Sequence, residues 1–412
     1  MGSRTVALHP RPGRLSDRAE AARLSPAYSG RAVAGAGLAA LAVAMGIGRF
    51  AFTPILPMMQ QDAGVSIAAG AWLAAVNYVG YLVGALSVMI VPIPAPTAIR
   101  AGLVTIGVTT LAMGWHDAFA LWLVLRTVAG IASAWVLVST SAWCLERLQP
   151  LRRPMLESTV FAGVGAGIAV AGAACLAFMR LATTSAQAWI VFGVGSLVVT
   201  GIIWPVFGRA DRAVFSAQRR RRPRLAWNAE WLGLTLCYGA FGFGYIIPAT
   251  FLPVMARQAI RDPAVFGLSW PLFGAAAVVS TLLAGRIRRR VSNRRLWIAS
   301  HLVMALGVAL PVISPGIVAT MLAALGVGGT FVVVTMLGMQ EAREVAGAAA
   351  TGLMAAMTSA FALGQVAGPL SASYLHGPDG NFSTALLVAC GALVMSAGVL
   401  ASLSRPARPG VS

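Results

Sequence analysis

The sequence has no lysine, four cysteines and only 12 acidic residues in 412 positions. Charged residues of every kind make up 10% of it, where soluble proteins carry about a quarter. A chain so poor in charge and 58% hydrophobic would expose large sticky patches in water, so its natural solvent is lipid. The cysteines, Cys144, Cys175, Cys237 and Cys390, lie far apart in apolar stretches with no C-x-x-C pair. That spacing argues against a disulfide framework or a cysteine metal site and predicts four small buried residues. H-E-x-x-H, G-x-S-x-G, a histidine cluster and an acidic pair within an apolar run are all missing. The common hydrolase and metal-enzyme signatures are thus absent; no enzyme activity, cofactor or metal is expected.

What is present is arginine. All 31 basic residues are Arg, and the net charge is +19. Such a charge suggests a nucleic-acid partner, but the distribution argues against one: the arginines sit in tails and particular loops, without interleaved aromatics on a polar surface. Apolar stretches about 20 residues long match a hydrocarbon layer of about 30 Å. Twelve fall near 31–60, 69–91, 97–114, 118–146, 156–180, 186–207, 227–256, 263–285, 295–313, 315–339, 346–374 and 382–404. With the N-terminus inside, 26 arginines fall on the cytoplasmic side and three, Arg180, Arg257 and Arg261, on the other. This bias predicts an inner (plasma) membrane protein of a bacterial type, multi-pass, with both termini cytoplasmic.

A fixed offset of 196 residues links Gly46, Gly48, Leu56, Pro57 and Met59 with Gly242, Gly244, Leu252, Pro253 and Met255. The same offset links Gly130 with Gly326, Gly172 with Gly368, and Gly195 with Gly391. One offset across four helix pairs implies duplication. The expected organisation is a disordered cytoplasmic tail (1–30), a six-helix half (31–207), a basic cytoplasmic loop (208–226), a second six-helix half (227–404) and a short cytoplasmic tail (405–412).

The run from Gly46 through Arg49 to Pro57, the run Trp72–Gly84, the run Phe161–Ile168 and the fourth span around Arg126 to Arg147 resemble the YbfB/YjiJ-type branch of the major facilitator superfamily. The resemblance implies an all-α membrane fold of twelve transmembrane helices in two parallel halves, with a central substrate cavity worked by rocking of the halves. Two departures stand out. The loop after Gly84 lacks the Asp of the superfamily's acidic-basic motif, and the fifth span has no Gly-Pro pair of the kind found in drug antiporters.

Arg49 and Arg126 lie inside predicted spans, where an arginine costs roughly 2.5–3.5 kcal/mol unless it faces a cavity or partner. No Asp or Glu lies deep in a span. Two buried cations without carboxylates predict a small anionic substrate, such as a carboxylate. Asn77, Tyr78 and Tyr81 on the second span, Tyr245 on the seventh (196 residues after Arg49) and Gln365 on the eleventh complete the candidate substrate-binding set. Pro57 and Pro253 near the outer ends of the first and seventh spans, with Asp62 and Glu157, are the candidate gating residues. His301 and His376 read as span-end residues, which leaves proton coupling open. The expectation is a monomeric secondary transporter working by alternating access, with membrane lipid and a small-molecule substrate as its partners. Efflux of hydrophobic or drug-like compounds and a transporter-derived membrane sensor are the alternatives.

Overall fold

A computed structural model describes residues 28–115, 117–208, 227–259, 268–314, 316–375 and 383–403. Nearly all of the predicted segment 1–30, the loop 208–226 and the segment 405–412, and also His376, lie outside the described residues.

Among the described residues the chain forms twelve long helices and no strand. They are α1 (Gly30–Asp62), α2 (Ile67–Ile90), α3 (Ala95–Met113), α4 (Phe119–Leu148), α5 (Pro154–Arg180) and α6 (Ser185–Ile203). After the central gap come α7 (Ala229–Ala259), α8 (Ser269–Ile287), α9 (Asn293–Ile313), α10 (Ile317–Ala346), α11 (Ala350–Leu375) and α12 (Ser383–Ser402). All are apolar and long enough to cross a bilayer; α10 and α11 run as one apolar stretch interrupted only by the short turn Gly347–Ala349. Local chemistry sets the starts. Ser29, Ser66 and Ser292 accept backbone N–H bonds as caps of α1, α2 and α9, Thr184 and Gln187 form a capping box on α6, and Pro154 opens α5.

The two sets of six pack alike. Helix α1 lies on α5 as α7 lies on α11; α3 lies on α6 as α9 on α12; α2 lies on α4 as α8 on α10. Gly167 of α5 rests on the Ala42 carbonyl and Gly46 of α1, and Gly364 of α11 rests on the Gly239 carbonyl and Gly242 of α7. Gly167 and Gly364 are 197 residues apart, as are Ala42 and Gly239, one more than the offset of the glycine matches. The halves meet chiefly through α5 with α8 and α2 with α11, pairs that exchange when the halves are exchanged.

The α5–α8 seam brings glycine backbone against the facing helix. A Cβ on Gly165 would stand 2.8 Å from the Gly274 carbonyl oxygen, and one on Gly172 would stand 2.7 Å from Pro271. Outward faces carry exposed Val79, Val83, Val194, Val198, Leu302 and Leu306, a belt suited to lipid rather than water. Tyr28 bonds the Pro205 carbonyl, Arg100 bonds the Trp204 carbonyl, and Arg294 bonds the Leu403 carbonyl. The first and last described residues thus lie at the Arg-rich end of the bundle. Cys144, Cys175 and Cys237 are buried, Cys390 is half-buried, and all four are free thiols.

Helix α1 is not regular. From Ala42 to Phe50 it opens into a π-helical stretch before returning to α-form at Phe52. Such wide turns are rare and concentrate at functional sites.

Candidate functional site

The π stretch carries Gly46, Gly48 and Arg49. Gly46 is demanded by packing, because a Cβ there would lie 2.4 Å from the Gly167 backbone. The stretch ends just before Pro54, which has no N–H to return to the preceding turn. That costs the turn one main-chain donor, and side chains of α4 donate to carbonyls of this region. Arg126 donates from Nη1 to the Gly48 carbonyl at 3.2 Å and from Nη2 to the Arg49 carbonyl at 3.3 Å; its Nε points at the Leu73 carbonyl at 3.5 Å. Two turns on, the Ser133 hydroxyl lies 2.9 Å from the Ala44 carbonyl. Asn77 of α2 holds α4 in turn, donating to the Arg126 carbonyl at 2.8 Å. Arg126 also lies over the Phe52 ring, 4.7 Å from its centre. All three of its nitrogens are thus directed at main-chain oxygen.

Arg49 differs. It is 4% exposed. Its Nη2 donates to Gln365 Oε1 of α11 at 2.7 Å, a bond between the halves. Its guanidinium lies 3.9 Å from the centre of the Tyr81 ring, with Tyr78 and Phe50 at 5.5 and 5.6 Å. Nε and Nη1 are buried without an acceptor, as is the Nε2 of Gln365, and the Oδ1 of Asn77 is buried without a donor. A charge-assisted bond returns roughly 1.5–3 kcal/mol and a desolvated cation–π contact about 2 kcal/mol. Together these approach the several kcal/mol that burying the ion costs. Each unfilled donor adds about 1–3 kcal/mol to the deficit. The place is short of negative charge.

The second half presents rings. Tyr245 stacks on Phe331 at 5.1 Å and 17°, and Phe50 of the first half meets Phe331 edge-on at 6.0 Å. Phe241, Phe361 and Tyr238 pack behind Tyr245. The structure therefore gathers Arg49, Tyr78, Tyr81 and Gln365 at one point, with Tyr245 in the adjoining ring cluster, whereas Asn77 and Arg126 serve the frame of α1 and α4. Thr358 bonds only its own helix at the Met354 carbonyl.

At the Arg-rich end, Glu157 in the first turn of α5 bridges to Arg288, just after α8, at 2.9 Å, and accepts from Gln340 Nε2 of α10 at 2.9 Å. Both charged side chains are nearly buried, and the three residues tie the halves together. Asp62 lies elsewhere. It accepts from Ser185 N–H and Oγ–H, so it fastens the end of α1 to the start of α6 inside one half. Pro57 lies within the last stretch of α1 and Pro253 within α7, whose side chain there is outside the described residues.

His301 corrects the sequence reading. Helix α9 begins at Asn293, so His301 lies two turns inside it, fully buried, and accepts from Trp297 Nε1 at 3.0 Å. Arg288, Gln340 and Phe331 were not foreseen. Arg288 is one of three consecutive arginines, and nothing in that run marks the one that turns inward. Among the described residues no cluster of His, Cys, Asp and Glu could hold a metal.

Residues 41–401 match the family described as "Uncharacterised MFS-type transporter YbfB". Solved structures that share the fold include the crystal structure of the human organic anion transporter MFSD10 (TETRAN). Its TM-score is 0.68 at 15% identity, covering 90% of this chain and 100% of that one. No curated protein matches the chain. With twelve apolar helices in two like-packed halves and a family match over nearly the whole bundle, the chain belongs to the YbfB-type family of major facilitator superfamily transporters.

Proposed function

We propose that this transporter carries a small organic anion by alternating access of the two halves, with Arg49 as the charged anchor. The observation that carries this reading is the guanidinium of Arg49, buried between the halves with Nε and Nη1 unfilled. An anionic group there supplies the missing acceptors, and no described carboxylate competes for the place. MFSD10 is itself a human organic anion transporter; at 15% identity its likeness lends this chain a fold and only general support for the substrate class. The Glu157–Arg288–Gln340 contact acts as the gate at the Arg-rich end, closed in this conformation. The arginine bias puts that end in the cytoplasm of a bacterial cell, with both termini inside.

The ring cluster also favours a second reading, efflux of hydrophobic compounds, which would leave the guanidinium unused. Among the described residues no observation favours a sensor or enzyme role over transport. The reading is tested by counterflow of radiolabelled organic anions in liposomes carrying the purified protein as a monomer, with and without a pH gradient. Uptake into preloaded vesicles, lost in Arg49→Gln, supports it. Uptake of apolar neutral compounds that Arg49→Gln leaves intact supports the second reading instead.

A further inference from the structure

Resting on the anion reading, we propose that the substrate is a monocarboxylate with a flat aromatic body. The charge count comes first. Of the two arginines buried mid-bundle, Arg126 is taken up by the carbonyls of Gly48, Arg49 and Leu73. Arg49 alone of the two keeps nitrogens with no acceptor at all. A second anionic group on the ligand would find no second guanidinium with unpartnered nitrogens in this pair.

The shape of the open cation comes next. A guanidinium has two two-pronged faces, Nη1 with Nη2 and Nε with Nη2, and Nη2 carries a hydrogen toward each. Gln365 Oε1 takes one Nη2 hydrogen. Whichever it takes, the other face stays whole, because Nε and Nη1 are both free. A carboxylate fills such a fork with two parallel bonds. The Nε2 of Gln365, buried and unpartnered, provides further donors on the same side chain that holds Arg49.

A series of rings reached through Phe50 selects the body. Tyr245 on Phe331 is the first step of a stacked series. Phe331 stacks on Phe273 at 5.3 Å and 23°, and Phe273 on Trp270 at 5.5 Å and 6°. The series runs from the neighbourhood of Arg49 to the start of α8, at the end away from the Arg-rich loops. The inner rings cover one another's faces, so an aromatic body meets their edges, as Phe50 meets Phe331; an edge-to-face contact of this kind is worth about 0.5–1.5 kcal/mol beyond area burial.

The test uses the full-length protein in detergent and in liposomes, with phenylpropionate, hexanoate, succinate, phenyl phosphate and phenylpropionamide as probes. Thermal stabilisation and counterflow are read for each. Phenylpropionate should bind about three- to tenfold tighter than hexanoate. Succinate, phenyl phosphate and the neutral amide should each be at least about tenfold weaker, the loss expected when a charge-assisted fork is misfilled or empty. Phe331→Leu should shrink the phenylpropionate-to-hexanoate ratio to less than about twofold. Equal affinity for hexanoate and phenylpropionate overturns the aromatic body. Preference for succinate or phenyl phosphate overturns the single charge. If no anion stabilises or exchanges on folded protein, the anion reading itself has failed.

Discussion

Arg49 and Gln365 are 316 residues apart and joined by a 2.7 Å bond that crosses from the first helix to the eleventh. The bond occupies one hydrogen of a buried cation whose remaining donors are largely unfilled, so its strength and the ligand's affinity are in competition. Gln365→Glu turns the neutral acceptor into a built-in anion. The protein should melt at higher temperature, because the buried charge is then paired, and anion binding should fall by at least about tenfold. Differential scanning fluorimetry with and without anion reads both effects.

The two buried arginines should separate by phenotype. Arg126→Ala removes donors from the Gly48 and Arg49 carbonyls, and a buried acceptor left unmade costs about 1–3 kcal/mol. Unfolding in detergent should show a loss of roughly 2–4 kcal/mol for that variant. Arg49→Gln should be neutral or stabilising, since it deletes an under-compensated charge, while transport is lost.

The Arg-rich end should open when Glu157 is neutralised. Breaking a buried ion pair by removing one partner costs roughly 3–5 kcal/mol. In Glu157→Ala, a cysteine placed at Ser158, which packs against Gly285 of α8, should react with a water-soluble maleimide several-fold faster than in the parent. The charge swap Glu157→Arg with Arg288→Glu should bring the rate back toward the parent value.

Helix α1 should not tolerate a side chain at Gly46. The nearest atoms are the Gly167 backbone at 2.4 Å, and backbone cannot move aside as a flexible side chain could. Gly46→Leu should abolish a monodisperse peak in size-exclusion chromatography. Gly195→Leu, which meets open space, should leave that peak unchanged.

The helix number, the buried state of Arg49 and the aromatic character of the seventh helix were legible because apolar length and a misplaced charge are local signals. The role of Arg126 was not. A π stretch leaves no trace in hydrophobic periodicity, so nothing in that pattern announces that the Gly48 and Arg49 carbonyls will turn to Arg126. The same lone charge in an apolar run therefore marks a candidate anchor at one position and a framework bond at the other. Glu157 and Asp62 look alike as acids at helix ends. They divide by partner: Arg288 and Gln340 on the opposite half for one, Ser185 within the half for the other. His301 was misjudged because the start of α9 is hidden among arginines, where hydropathy is a poor guide to a helix that begins two residues earlier than its apolar stretch.

Between Gly165 and Gly172, helix α5 touches α8 at Gly274, Ala277 and Pro271, with only a methyl group and a proline ring interposed. Over this stretch the surfaces are glycine backbone, a methyl group and a proline ring, which have almost no rotamers to refreeze when they turn on each other. The seam works like a dry axle with little friction, and the resistance to turning is concentrated at two polar catches between the halves, Arg49 with Gln365 and Glu157 with Arg288.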